Sequence, residues 1–147
     1  MSLLKATRTA QFPLVAEFTW NFDDTMVNTA GNTVNFGSSN LGGAAGFFAV
    51  IPLPPNAVVI GGDVTIETAF DTAGYDITVG DTTTTNRYLA TTDLKALSRT
   101  ALVPTGFRGA GENVVLGFTS DDVCTTGKGT LRVQYIVQNR SNEVQVA

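Results

Sequence analysis

Three kinds of residue in this chain have types and spacing that could carry chemistry. The first is Phe70-Asp71-Thr72, an apolar residue before an Asp-Thr pair, within TAFDTAGYDITVGD at 68–81. Two carboxylates sharing one proton make an acid-base dyad, and in a dimer each chain need supply only one, here Asp71. The second is the pair of doublets Asp23-Asp24 and Asp121-Asp122, whose oxygens are of the type that binds calcium. The third is Cys124, the chain's single thiol.

None of these patterns is completed. The Asp71 stretch resembles the loop of retroviral-type aspartic proteases, with a later apolar run ending in glycine, VVLG at 114–117. That loop needs glycine directly after Asp-Thr, however, and this chain has Ala73 there, with Gly74 one place late; Phe118 stands where the second element would bring a polar residue. A turn explains every residue instead: VTIETAF, then the polar DTAG, then YDITVG, read as a β-hairpin. Calcium loops place several oxygen ligands at fixed offsets, and neither aspartate doublet has them, so both read as solvated turns. There is no histidine, so neither Cys124 nor any serine has the commonest activating base, and no Gly-x-Ser-x-Gly elbow or phosphate-cradling glycine loop occurs. Cys124 reads as a small buried thiol. The sequence therefore implies no catalytic residues, no cofactor and no metal.

The elements that would position such residues are strands. PLVAEFTWNF places Leu14, Ala16, Phe18, Trp20 and Phe22 on one side and Val15, Glu17, Thr19 and Asn21 on the other, the period of a strand with one buried face. FFAVIPL at 47–53 is a short continuous apolar run, and PPN at 54–56 redirects the chain after it. AVVIGGDVTIETAF follows as a long strand whose Gly61-Gly62 marks a bulge or a bend, as where a strand crosses between sheets. YDITVGD turns Tyr75, Ile77 and Val79 inward; TTTTN at 82–86 is a polar loop; ENVVLGFTSD and GTLRVQYIVQNR are two more strands, the last with Leu131, Val133, Tyr135 and Val137 on one face. Within RYLATTDLKALSRTALVP, Thr92 to Leu97 is the one place where a short helix would fit, and given the segment's threonines β-structure or a loop fits as well. Evenly spaced strands between Gly- and Asn-rich turns predict an all-β antiparallel β-sandwich.

The chain has 147 residues, enough for one domain with a sizeable core, and only 15% of them are charged. Its net charge of −4 and scattered Lys and Arg argue against nucleic acid as a partner. One cysteine precludes a disulfide within the chain and fits synthesis in a cytoplasm. No signal peptide is expected, since TAQFPLVAEF follows Lys5 and Arg8, and the apolar stretch from Leu41 to Gly62 is cut by Pro52, Pro54 and Pro55, which speaks against a membrane span. From Thr25 to Gly62 no residue is charged. Such a segment fits buried strands and neutral loops, and equally a subunit interface, because interface cores are depleted in charge. Residues 1–12, MSLLKATRTAQF, lack a turn-bounded pattern and read as an arm that orders against a neighbour, ahead of a single sandwich domain over 13–147.

The run IPLPPNAVVIGGDVTIETAFDTAGYDITVGDTTTTNRYLATTDLKA, with GENVVLGF and GTLRVQYIV after it, resembles the capsid decoration, or cement, proteins of tailed bacteriophages. The likeness spans about Ile51 to Val137. It implies a jelly-roll-like sandwich, a homotrimer made in the bacterial host cytoplasm, that sits on the outer capsid surface and bridges subunits of the major capsid protein without enzymatic activity. Contacts would then concentrate on the arm, at Leu3, Leu4 and Phe12. Two other readings of the residues stay open: a phage tail, neck or fibre-associated β-module, and a carbohydrate-binding module, which would need Trp20, Tyr75 or Tyr88 on one open face.

Overall fold

Alternating apolar residues build two four-stranded sheets in the computed structural model, which describes residues 12–138. In chain order the strands are β1 (Leu14–Asn21), β2 (Thr25–Val27), β3 (Thr33–Asn35), β4 (Phe47–Ile51), β5 (Ala57–Thr68), β6 (Asp76–Gly80), β7 (Leu89–Asp93), β8 (Ser98–Ala101), β9 (Val114–Thr119) and β10 (Lys128–Val137). The first sheet has the order β1-β10-β5-β8 and the second β4-β9-β6-β7, all pairs antiparallel. β2 and β3 form a separate ribbon, closed by Asn28, whose Oδ1 accepts hydrogen bonds from the Ala30 and Asn32 amides. From β4 onward every connection except β6–β7 passes from one sheet to the other. That interleaving of two Greek keys is the topology of a jelly roll, so the expected all-β sandwich is present with its jelly-roll character.

The inner faces meet in a core of aromatic rings. Trp20 is fully buried, stacked at 6.3 Å on Phe70 and edge-on at 5.5 Å to Phe118. Phe118 also lies 5.3 Å from Phe36, 5.8 Å from Phe48 and 6.0 Å from Tyr75. Tyr75, Ile77 and Val79 point inward as their alternation requires. Gly129 lies under the Trp20 ring, and a Cβ there would meet the indole, so this position of β10 has to be side-chain-free.

One expectation changes in the structure, and two that were open are decided. FDTAG is a turn, but not that of a hairpin: β5 pairs with β10 and β8, β6 with β7 and β9, and Asp71–Gly74 carries the chain from the first sheet to the second. The reason is Phe70, which turns inward to stack on Tyr75 at 4.3 Å, while its amide donates to the Leu94 carbonyl. β5 keeps all its residues in one sheet and does not cross at Gly61-Gly62. The register slips by one residue at Ile60, opposite Gln134 and Tyr135, so a bulge falls directly beside the glycine pair. Thr92–Leu97 forms no helix, for Leu89–Asp93 and Ser98–Ala101 are strands; the one helical turn among the described residues is a 3-10 turn at Gly43–Gly46. No helix among the described residues is long and apolar enough to cross a membrane.

Candidate functional site

The residues singled out for chemistry are held in structural roles. Asp71 is exposed, and its carboxylate accepts from the Thr125 hydroxyl, the Thr125 amide at 2.8 Å and the Thr126 amide. The Thr125 hydroxyl, then its amide, holds the Asp71 carboxyl below the usual carboxylate range. Asp71 thereby ties the β5–β6 corner to the β9–β10 loop, 54 residues away. Val114–Gly117, the other half of the protease pattern, is part of strand β9 in the interior of the second sheet. Asp24 accepts from the Asn21 amide at 2.8 Å, and Asp122 from the Val123 amide at 2.7 Å; both doublets serve turns. Among the described residues no three His, Cys, Asp or Glu side chains gather as a metal site. Cys124 is buried, and that burial raises its thiol pKa.

The aromatic residues that a carbohydrate platform would need are enclosed. Trp20 and Tyr75 are 0% exposed and Tyr88 5%. The Tyr75 hydroxyl donates to the Phe36 carbonyl at 2.7 Å, and burial drives its pKa above the usual phenol value. Tyr88 sits beside an ionic latch that sequence reading missed. Asp81, itself buried, accepts from Arg87 Nε at 2.5 Å and from the Thr83 and Thr84 amides, while the Arg87 guanidinium lies over the Phe107 ring at 3.5 Å. Burial alone would raise the Asp81 pKa, but the Arg87 and amide hydrogen bonds outweigh it and hold the carboxyl low.

The outer faces of the two sheets present different surfaces. Across the outer face of the first sheet runs a charge ladder: Glu17 on β1, Arg132 on β10, Asp63 on β5 and Arg99 on β8. Arg132 is in register with both Glu17 and Asp63, at 3.2 Å and 3.6 Å, and Arg99 closes on Asp63 at 2.7 Å. Lys128 and Glu67 add a second rung at 3.3 Å. Alternation places each of these outward, but only the register brings them together. The outer face of the second sheet has no such ladder among the described residues: Asp76 and Asp93 stand in register on β6 and β7, Phe47 lies over Gly117, and the Thr82–Arg87 loop folds so closely on Gly80 that a Cβ there would strike the Thr84 carbonyl. The uncharged segment from Thr25 to Gly62 supplies the β2–β3 ribbon and β4, an edge strand of that sheet.

Of the expected contact residues, Phe12 is 80% exposed immediately ahead of β1, whereas Leu3 and Leu4 lie outside the described residues. β1 forms one edge of the first sheet. Beside it the structure opens a groove of about 470 Å³ between β1 and β2, lined by Phe18, Thr19, Asp23, Thr25, Met26 and Phe36.

No protein-family model matches this sequence, and no curated protein matches it. Three solved bacteriophage capsids contain chains of similar structure. One is the acid-stable capsid of Helicobacter pylori bacteriophage KHP30, with TM-score 0.58 and 19% identity over 86% of this chain and 88% of that one. Another is the capsid asymmetric unit of cyanophage Pam1, with TM-score 0.56 and 16% identity over 92% and 94%. The capsid of Ralstonia phage GP4 holds the third, with TM-score 0.55 and 14% identity over 95% and 93%. The likeness is one of fold, and it extends over nearly the full length of every chain compared.

Proposed function

We propose that this chain is a non-enzymatic structural protein of a bacteriophage virion, which decorates the outer surface of the capsid and stabilises it by bridging subunits of the major capsid protein. The observation that carries the reading is the jelly roll itself, alike over 86–95% of this chain to chains in three phage capsids. A jelly roll closes its core within one chain and leaves two broad outer faces and its sheet edges for neighbours, which is why the architecture recurs in shells. The uncharged stretch from Thr25 to Gly62, which supplies β4 and the β2–β3 ribbon, fits a surface turned toward a partner, since charge is depleted in interface cores. Holding would come from many modest contacts multiplied by symmetry, with a homotrimer giving three attachment points and avidity in place of one tight site.

The test is to mix the purified protein with capsids that lack it. Regular occupancy of the shell surface by electron microscopy, with a higher temperature of capsid disruption, is the expected result; absence of binding to any such shell refutes the proposal. Occupancy confined to a vertex or tail would favour the alternative of a tail, neck or fibre module. Light scattering on the free protein reads the trimer directly. The carbohydrate-binding alternative has little support in a protein whose Trp20, Tyr75 and Tyr88 are buried.

A further inference from the structure

The groove beside β1 joins three features. Its floor is aromatic: the Phe18 and Phe36 rings lie 6.2 Å apart, edge to face, and Phe18 is only partly covered. Its first wall is the outer edge of β1, whose ladder partner is β10 on the other side, so that alternate backbone N–H and C=O groups of an eight-residue strand face the groove without a strand partner among the described residues. Its second wall is β2, paired only with β3. Asp23 and Asp24 stand in the lining of the same groove, and neither is in a salt bridge among the described residues.

An extended peptide with small or apolar side chains and positive charge fits these features, because strand addition satisfies the edge while side chains of alternate residues reach the floor. The chain itself contains one. Residues 1–11 carry Leu3 and Leu4, Lys5 and Arg8, and no acidic residue. Their extended reach of about 36–40 Å exceeds the length of β1. Phe12 and Pro13 lead into β1 with no turn between them, so reaching its own groove would require a chain reversal within residues 1–11, whereas the groove of a second copy requires none.

We propose that the groove between β1 and β2 receives residues 1–11 of a second copy of this chain, added along β1 as a strand, with Lys5 and Arg8 against Asp23 and Asp24. The inference rests on the assembly reading above, and it names the contact that joins neighbouring copies.

Cross-linking of full-length chains tests it. One variant carries Ala6→Cys and the other Thr25→Cys, an exposed groove position; the buried native Cys124 is kept in both. Mixed and mildly oxidised, the pair should give a disulfide-linked dimer holding one chain of each kind, at least fivefold above an Ala6→Cys and Leu97→Cys control pair. High salt should lower the yield, the double change Asp23→Lys and Asp24→Lys should remove it, and adding Lys5→Glu and Arg8→Glu to the arm should restore it. A yield equal to the control pair overturns the proposal, and so does an exclusively intrachain bond in a chain carrying both cysteines. Shells that are occupied without the cross-link would refute the arm contact alone; a cross-link in solution with bare shells would refute the capsid reading alone.

Discussion

Replacing Phe118 by alanine should be the most damaging single truncation in the core. The ring is 1% exposed, lies on the inner face of β9 and touches four other rings: Trp20, Phe36, Phe48 and Tyr75 at 5.3–6.0 Å. Phe→Ala in a core costs about 3–5 kcal/mol through lost transfer energy and the cavity left behind. Aromatic pairs add about 0.5–1.5 kcal/mol beyond buried area, which puts Phe118→Ala near the top of that range, at about 4–5 kcal/mol. The rings around the hole are anchored far apart in the chain, Trp20 on β1, Phe48 on β4, Phe36 just after β3 and Tyr75 just before β6, so collapse into it is limited. For a chain of this length the change corresponds to a fall in Tm of roughly 8–20 °C. The assay is urea unfolding with thermal melts alongside, and Phe118→Leu as the control, expected to cost about 1.5 kcal/mol because it keeps most of the volume. An unchanged m-value would show that the midpoint shift is a stability change. A cost for alanine under about 2 kcal/mol, or one equal to that of leucine, would refute the view that this ring holds the two sheets together.

Two further predictions concern carboxylates. Asp81→Asn removes the charge from the Arg87 latch and should cost about 2–3 kcal/mol at neutral pH, the usual value of a hydrogen bond to a charged group. Because the folded-state pKa of Asp81 is depressed, its contribution is full above the ordinary carboxylate value near 3.8 and is lost as pH falls through the lower folded value. Melting curves of the two proteins should therefore converge in strong acid; a gap that stays constant with pH would contradict the latch. Asp71→Asn should leave the protein folded and able to assemble, since an amide oxygen still accepts from Thr125, but it should flatten the acid limb of stability for the same reason of sign. Proteolytic activity in the wild-type protein that this change abolishes would overturn the structural role of Asp71.

Much of the sandwich was legible in the sequence because strand period and burial are local. The alternation in β1 and in Tyr75–Val79 names the same inward residues as the structure does, and Gly61-Gly62 marks the bulge. Connectivity was not legible. Whether DTAG closes a hairpin or turns a corner between sheets depends on which distant strand satisfies β5, and that strand is β10. The stretch Thr92–Leu97 was compatible with either state, and pairing of Leu89–Asp93 with β6 decided for strand at its start. The charge ladder and the Asp81 latch were hidden for a related reason: outward direction can be read from alternation, but the partners Glu17, Arg132 and Asp63 meet only through register. The groove is further from sequence still, since Phe18 and Phe36 belong to different elements and β1 is recognised as an edge only once the strand order is known.

That strand order also governs how the protein comes into being. β10, the last strand among the described residues, lies in the middle of the first sheet with β1 on one side and β5 on the other, and Thr19 bonds to Thr130 across 111 residues. Such long closures make folding slow, and none of them can be made while β10 is still inside the ribosome. A chain released short of Lys128 would leave β1 without a partner and strip Leu131 and Val133 from beneath the core. Emergence of residues 128–137 is thus the committing step of folding: until then the first sheet lacks its centre, and β1 and β5 have no strand to join them.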